Sequence, residues 1–277
     1  MKKNNKKNIV VLNIAITTII IIGLLIMIYP FLSQFYYMAK ENGEAILFEN
    51  NIKKIPNKEI ESTVKTYKLY NESLIGNTYD NIREKKNIEK AVDKYKKIAL
   101  EHEKIGYLSI PKINQNLPIF AGISDKMLEN GVGQMQGTSL PIGGRGTHSV
   151  LAAHSGLPNV RLFTDLNKLR VGDEFYISNI KETIAYRVDN IKVVLPTNFS
   201  DLSIDKNKDY VTLMTCTPYR INTHRLLVRG HRIAYNKNIE KEKKKIYYKI
   251  LIVVFILILV LIIIIFYIKK ALKNKQH

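Results

Sequence analysis

One cysteine, Cys216, stands in a chain of 277 residues, and nine positions after it an arginine, Arg225, opens the apolar stretch LLV. Cys216 closes the run VTLMT and is followed by Thr217-Pro218, a dipeptide that stops a strand because proline has no N–H to give to the ladder. If the two runs pair as an antiparallel hairpin, the end of one lies beside the start of the next, and Cys216 and Arg225 become neighbours at the base of the loop. The arginine then places a permanent cation and a rigid fork of donors near the sulfur. It could lower the thiol's pKa from its free value of about 8.5, or donate to the oxyanion formed when a thiolate attacks a carbonyl. Taken singly, the cysteine reads as a small buried hydrophobe and the arginine as a surface cation; their spacing is what points to chemistry.

A cysteine nucleophile works with a base, and histidine is the usual one. Of the six histidines, His154 ends the run VLAAH and is followed by Ser155-Gly156, so it too sits at the mouth of a strand. His148 opens the same strand, but six steps of about 3.4 Å put the two roughly 20 Å apart, too far to share a metal. His224 would point to the face opposite Arg225, His231 lies farther along, and His102 belongs to an N-terminal helical region. Pro141 to Gly146 (PIGGRG) has the glycines of a phosphate loop without the following Lys-Ser/Thr, and reads as a turn. Ser155 is not in a G-x-S-x-G elbow.

These residues need strands to hold them. From Ile105 onward the chain alternates short apolar runs with Gly, Pro, Asn and Asp: IGYLSIP, NLPIFAG, THSVLAAHSG, GDEFYIS, IAYRVDNIKVVLP, DYVTLMTC and RLLVRGHRIAY. Seven or eight strands at this spacing predict a closed or nearly closed β-barrel over 104–235. Upstream, 29–103 is polar, Lys-rich and helical in pattern. Ile60, Val64, Tyr67 and Leu74 mark one helix after Pro56-Asn57, and Ala91, Tyr95, Ile98 and His102 a second face. Asn71 to Lys86 has no sustained period and reads as a surface connection.

Both ends carry long apolar runs, 9–28 and 250–268, each a helix of roughly 30 Å, the thickness of a bilayer core. The first lacks a small-x-small cleavage site, so it reads as an uncleaved anchor. Lys2, Lys3, Lys6 and Lys7 before it, and Lys269, Lys270, Lys273 and Lys275 after the second run, place the tails 1–8 and 269–277 in the cytoplasm and the barrel outside. Residues 236–249 form a charged tether. The chain has 43 basic and 24 acidic residues, and the exterior part stays basic, which suits an anionic wall or membrane surface. No RRM, helix-turn-helix or zinc-finger pattern accompanies the charge, which excludes nucleic acid as a partner. With one cysteine there is no internal disulfide, so core packing alone must stabilise an exported domain of this size.

TLMTC with an arginine nine positions on, and AAHSGL 62 positions before the cysteine, resembles the sortases, membrane-anchored transpeptidases of Gram-positive cell surfaces. The resemblance runs from Gly106 to Ile233. GTSLPIGGRGTHSVLAAHSGLP, LFTDLNKLRVGDEFYI and TLMTCTPYRINTHRLLVRGHR, with the second apolar run, are most like class C, the pilin-polymerising branch. It implies a mainly β fold, an eight-stranded barrel preceded by helices and flanked by two transmembrane helices. It further implies cleavage of a Leu-Pro-x-Thr-Gly-like signal between Thr and Gly, with Cys216 as nucleophile, His154 as general acid and base, and Arg225 holding substrate or oxyanion. The implied partners are a surface protein or pilin bearing the signal and an acceptor amine, a pilin lysine, with no cofactor and no metal.

Two departures stand out. Class C carries an Asp-Pro-aromatic lid anchor, and NTYDNIREKK has none, leaving Tyr79 or Asp80 to serve in a lid. Arg220 stands where the family often has glycine. Two other functions remain open at this point: attachment of surface proteins to a peptidoglycan precursor, and binding of sorting signals or wall polymer without turnover.

Overall fold

Eight strands close into one barrel in the order β1-β2-β3-β4-β7-β8-β6-β5. They are β1 (Lys104–Ile110), β2 (Gln115–Ala121), β3 (Val132–Gln134), β4 (Thr147–Ala152), β5 (Glu174–Asn179), β6 (Thr183–Val194), β7 (Asp209–Thr217) and β8 (His224–Ile233). The computed structural model describes residues 2–75, 82–101, 103–157, 160–236 and, beyond these, Ile252, Val253, Ile256, Leu257 and Val260. The seven apolar runs are all strands. The eighth, β3, escapes a reading of alternation because it is only three residues long. It bridges two longer strands, pairing parallel with β2 and antiparallel with β4.

Alternation sorts the side chains. Along β7, Val211, Leu213 and Thr215 are buried inside the barrel, where Val211 and Leu213 join Leu108, Leu151, Phe175, Tyr186 and Val228 in the main core. Each such side chain taken fully out of water contributes about 1.5–3 kcal/mol before the entropy of ordering is set against it. The opposite faces of β4, β7 and β8 carry a second, smaller cluster outside the barrel, Val150, Leu202 and Leu227, with Met135, Val194 and Met214 packed on it. β6 is long enough to serve both clusters because its register with β8 shifts between Val188 and Asn190.

The chain forms two compact units, 34–235 and a second made of 1–33 and 236–277. In the first, α2 (Asn57–Ser73) and α3 (Ile82–Leu100) lay a hairpin on the barrel. Tyr70 stacks on Tyr95 at 4.2 Å, and the Tyr95 hydroxyl donates to Gln134 Oε1 at 2.8 Å. Asn71, expected in a surface connection, is buried in the last turn of α2. Its amide closes both backbone groups of Leu140, accepting from the N–H at 2.7 Å and donating to the carbonyl at 3.2 Å. The connection is therefore shorter than the sequence implies, since 71–73 and 82–86 are helical. Tyr79, Asp80 and His102 lie outside the described residues.

α1 (Lys2–Ile52) runs through the first apolar stretch without a break at 28, so no boundary separates the expected span from the leader. Its later part meets the barrel through Lys104 Nζ and Glu44 Oε2, 2.7 Å apart, and through Phe48 against Tyr107. In the second unit 9–28 is helical, with Val11, Ile19 and Met27 exposed, yet among the described residues no helix is long and apolar enough to cross a membrane. Most of 250–268 lies outside the described residues. The two spans thus rest on the sequence alone.

A fourth short helix, α4 (Asp125–Asn130), joins β2 to β3.

Candidate active site

β7 and β8 form the hairpin expected from the spacing, and Cys216 stands directly opposite Arg225 in its register. Directly opposed residues of such a pair have Cβ atoms about 4.5–5.5 Å apart. The other neighbour of β7 is β4, running parallel, with Val150 beside Thr212 and Ala152 beside Met214. Two bonds carry this alignment past the end of β4: Ala153 N–H donates to the Met214 carbonyl at 3.2 Å, and the Thr215 hydroxyl donates to the Ala153 carbonyl at 2.7 Å. The next residue, His154, lies two residues past the end of β4, where a continuation of the same register would bring it toward Cys216. Cys216 and Arg225 stand in one row across β7 and β8, and His154 extends the line of that row from the loop that follows β4.

Each member of the row is half-buried, open enough to meet a substrate and enclosed enough to be held. The Arg225 guanidinium is turned by its own loop, Nη1 donating to the carbonyls of Asn222 at 3.2 Å and His224 at 3.1 Å. Among the described residues it has no carboxylate partner, so its charge is not neutralised. The loop after His154 is tied back at its base, with Phe163 N–H donating to the His154 carbonyl at 3.1 Å and Gly156 N–H to Thr164 Oγ1 at 3.0 Å. Gly156 has a φ of +84°, and a Cβ there would lie 3.1 Å from Cε2 of Tyr219. Glycine is needed on both counts, and it lets the loop after His154 close on the loop after Cys216.

The other histidines serve elsewhere. His148 is buried, with Nδ1 at 2.9 Å from the Ser203 carbonyl and Nε2 at 2.7 Å from the Thr212 hydroxyl. A carbonyl only accepts, so Nδ1 carries the proton and Nε2 accepts from Thr212. Burial pushes its pKa below the ordinary 6.5, and the nearby Arg229 charge acts in the same sense. His224 meets Thr223 and His231 meets Asp189. PIGGRG is a turn, with Gly143, Gly144 and Gly146 all at positive φ.

What the sequence reading missed is the floor that leads to the row. Ala152, Met214 and Leu227 are level with one another two residues before it, with Val194 beside Arg225 and Leu202 packed on the same cluster. The signal was present: Met214 shares a strand face with Cys216, two residues away. Past this apolar floor the face turns polar at Asn190, Lys192, Thr212 and Arg229, where Lys192 pairs with Asp201 and Arg229 with Asp189. A roomier cleft of about 490 Å³ lies between α1, β2 and α4, and none of the three row residues lines it.

The family model described as the sortase domain matches residues 108–233. A solved structure, sortase C1 from Streptococcus suis, is 53% identical, covers 62% of this chain and 97% of its own, and superposes with a TM-score of 0.61. The chain belongs to the sortase family. A pilus-related sortase C of Group B Streptococcus is 49% identical, covers 68% of this chain and 96% of its own, with a TM-score of 0.57. The curated Sortase A of Bacillus anthracis is 29% identical over 126 residues, 46% of this chain and 58% of its own length. This sortase spans between 51% and 62% of the length of the curated relatives it matches. Among the solved structures its likeness is to class C, in agreement with the sequence motifs.

Proposed function

We propose that this sortase is a cysteine transpeptidase that cleaves a Leu-Pro-x-Thr-Gly-like signal between Thr and Gly and passes the acyl group to an amine. The observation that carries the reading is Cys216 directly opposite Arg225 in the β7–β8 hairpin, with His154 just past the end of the neighbouring strand β4. The apolar floor of Ala152, Met214 and Leu227 suits the Leu-Pro end of such a signal and delivers the following carbonyl to the thiol.

The Cys216 thiolate attacks the threonine carbonyl, and Arg225 donates to the oxygen as it becomes negative, in the role of an oxyanion hole. The C–N bond breaks, the glycine amine leaves with a proton from His154, and a thioester remains on Cys216. An acceptor amine then attacks that carbonyl, His154 takes the amine's proton, and the C–S bond breaks to return the thiolate. Splitting amide exchange into two steps lowers each barrier, and an amine outcompetes water only when it is positioned. No step of this scheme calls on a metal or cofactor.

The acceptor we favour is a pilin lysine, supported by the likeness to class C structures, one of which bears a pilus-related name. The enzyme would sit in the membrane of a Gram-positive cell through 9–28 and 250–268, with the barrel outside, as the lysine-flanked apolar runs indicate. Tyr79 and Asp80 are left as lid candidates on the sequence alone.

The test is mass spectrometry of the full chain incubated with a Leu-Pro-x-Thr-Gly peptide library, with and without an added amine. An acyl adduct on Cys216 that the amine removes is the expected result. Peptide that binds without ever forming an adduct would instead make the protein a signal-binding module. Transfer to a peptidoglycan-precursor amine in preference to a lysine peptide would move the acceptor from pilus to wall.

A further inference from the structure

The loop between β7 and β8 holds a feature that the row of Cys216, Arg225 and His154 does not use. Arg220 is exposed and has a φ of +63°, in the left-handed region where an L side chain is disfavoured and glycine is at ease. The loop is closed by Ile221 and Asn222, whose N–H groups both donate to the Pro218 carbonyl at 3.0 Å. Its geometry thus asks for glycine at 220, yet it carries an arginine. The guanidinium lies 5.4 Å from the centre of the Tyr219 ring, and its Cγ stands 3.6 Å from the place a Cβ would take on Gly156, two residues beyond His154. The Arg220 side chain therefore starts out beside the loop that follows the histidine and carries its cation over the Tyr219 ring.

Among the described residues no carboxylate pairs with Arg220, and the loop sequence TPYRINT contains no acid. Asp165, on the loop that follows the histidine, is taken by Arg161 and Lys168, and Asp201 by Lys192. Its position also says which substrate it meets. With the Leu-Pro end of the signal on the floor of Ala152, Met214 and Leu227, the scissile carbonyl is at Cys216. Whatever lies beyond that carbonyl, first the departing peptide and then the incoming amine, lies past the strand ends, beside Tyr219, Arg220 and Gly156.

We propose that Arg220 is a specificity residue for the acceptor, selecting an amine-bearing peptide with a carboxylate close to the amine and disfavouring one flanked by cations. The inference rests on the reading that Cys216 carries the acyl group. Arg220 does not touch the reacting atoms; it raises the share of acidic acceptors held at the thioester.

The experiment loads the full chain with a Leu-Pro-x-Thr-Gly peptide and offers two lysine peptides in competition, one with glutamate beside the lysine and one with glutamine there. The ratio of the two products reads the preference independently of how much acyl-enzyme each variant makes. The unaltered chain should favour the glutamate peptide about three- to five-fold, the size an exposed ion pair allows, and lose that preference near 1 M salt, where screening acts over about 3 Å. Arg220→Gly, relaxed at this φ, should bring the ratio to one, and Arg220→Lys should retain part of it. A ratio of one in the unaltered chain, or an undiminished preference in Arg220→Gly, would overturn the assignment. If no thioester forms on Cys216 at all, it is the transpeptidase reading that falls, and the acceptor assignment falls with it.

Discussion

Arg225 is held by two carbonyls of its own loop through a single nitrogen, which leaves Nε and Nη2 of the guanidinium fork to donate elsewhere. A lysine could make at most one of these sets of contacts from a point charge. Arg225→Ala should therefore lower kcat/KM for transpeptidation by about 10²–10³-fold, the usual cost of one oxyanion donor. Arg225→Lys should recover only part of that, with the thermal unfolding midpoint unchanged in both; full activity in the lysine variant would show that charge alone suffices. Gly156 offers a second test at this scale. Alanine there must hold a φ of +84° and push against Tyr219, so Gly156→Ala should cost about 1–2 kcal/mol in denaturant unfolding and slow both acylation and transfer. A variant with native stability and rate would mean that the two loops need not close on each other.

β7 has two faces with two tasks, and neighbouring residues separate them. Leu213 is fully buried in the barrel, so Leu213→Ala should cost about 2–5 kcal/mol, read as a lower denaturant midpoint. Met214 is half-buried on the outer cluster, so Met214→Ala should cost far less stability and instead raise KM for the signal peptide several-fold. The reverse pattern would place the signal elsewhere. The same strand shows why some of the site was legible and some was not. Cys216 and Arg225 could be paired from sequence because a hairpin is local and its loop sets the register. His154 could be marked as a strand end, but nothing in the sequence says that β4 lies parallel to β7, since that contact joins segments some 60 residues apart and is decided by closure of the whole barrel. The apolar floor was missed for the same reason, being built from Ala152, Met214 and Leu227 on three strands. β3 was too short to show a period, and Asn71 read as loop because its polarity is spent on the distant backbone of Leu140.

At the scale of the whole molecule, stability and placement can each be read with one residue. His148 is neutral in the folded barrel and its pKa lies below the ordinary 6.5 because it is buried, with Arg229 assisting and the Ser203 carbonyl and Asp189 opposing. As pH falls through about 6.5 the unfolded chain binds a proton that the folded one refuses, so stability present above that pH is lost on acidification. Glu174, held low by hydrogen bonds from Tyr176 and Arg187, begins to matter only below its ordinary 4.5. Between pH 7 and 5 the unfolding midpoint should therefore fall, and His148→Gln should flatten that slope. Placement is tested by the thiol, because Cys216 is the only cysteine in the chain. If the lysine-flanked runs 9–28 and 250–268 span the membrane with the barrel outside, a membrane-impermeant maleimide added to intact cells should label the protein, and Cys216→Ala should abolish the label. In that alanine background, Asn5→Cys and Lys275→Cys should stay unlabelled until the cells are opened, since both would lie on the cytoplasmic side. Labelling of either in intact cells would contradict the two-span topology, whereas labelling of Cys216 only after lysis would put the thiol on the side of the membrane where no surface protein could reach it.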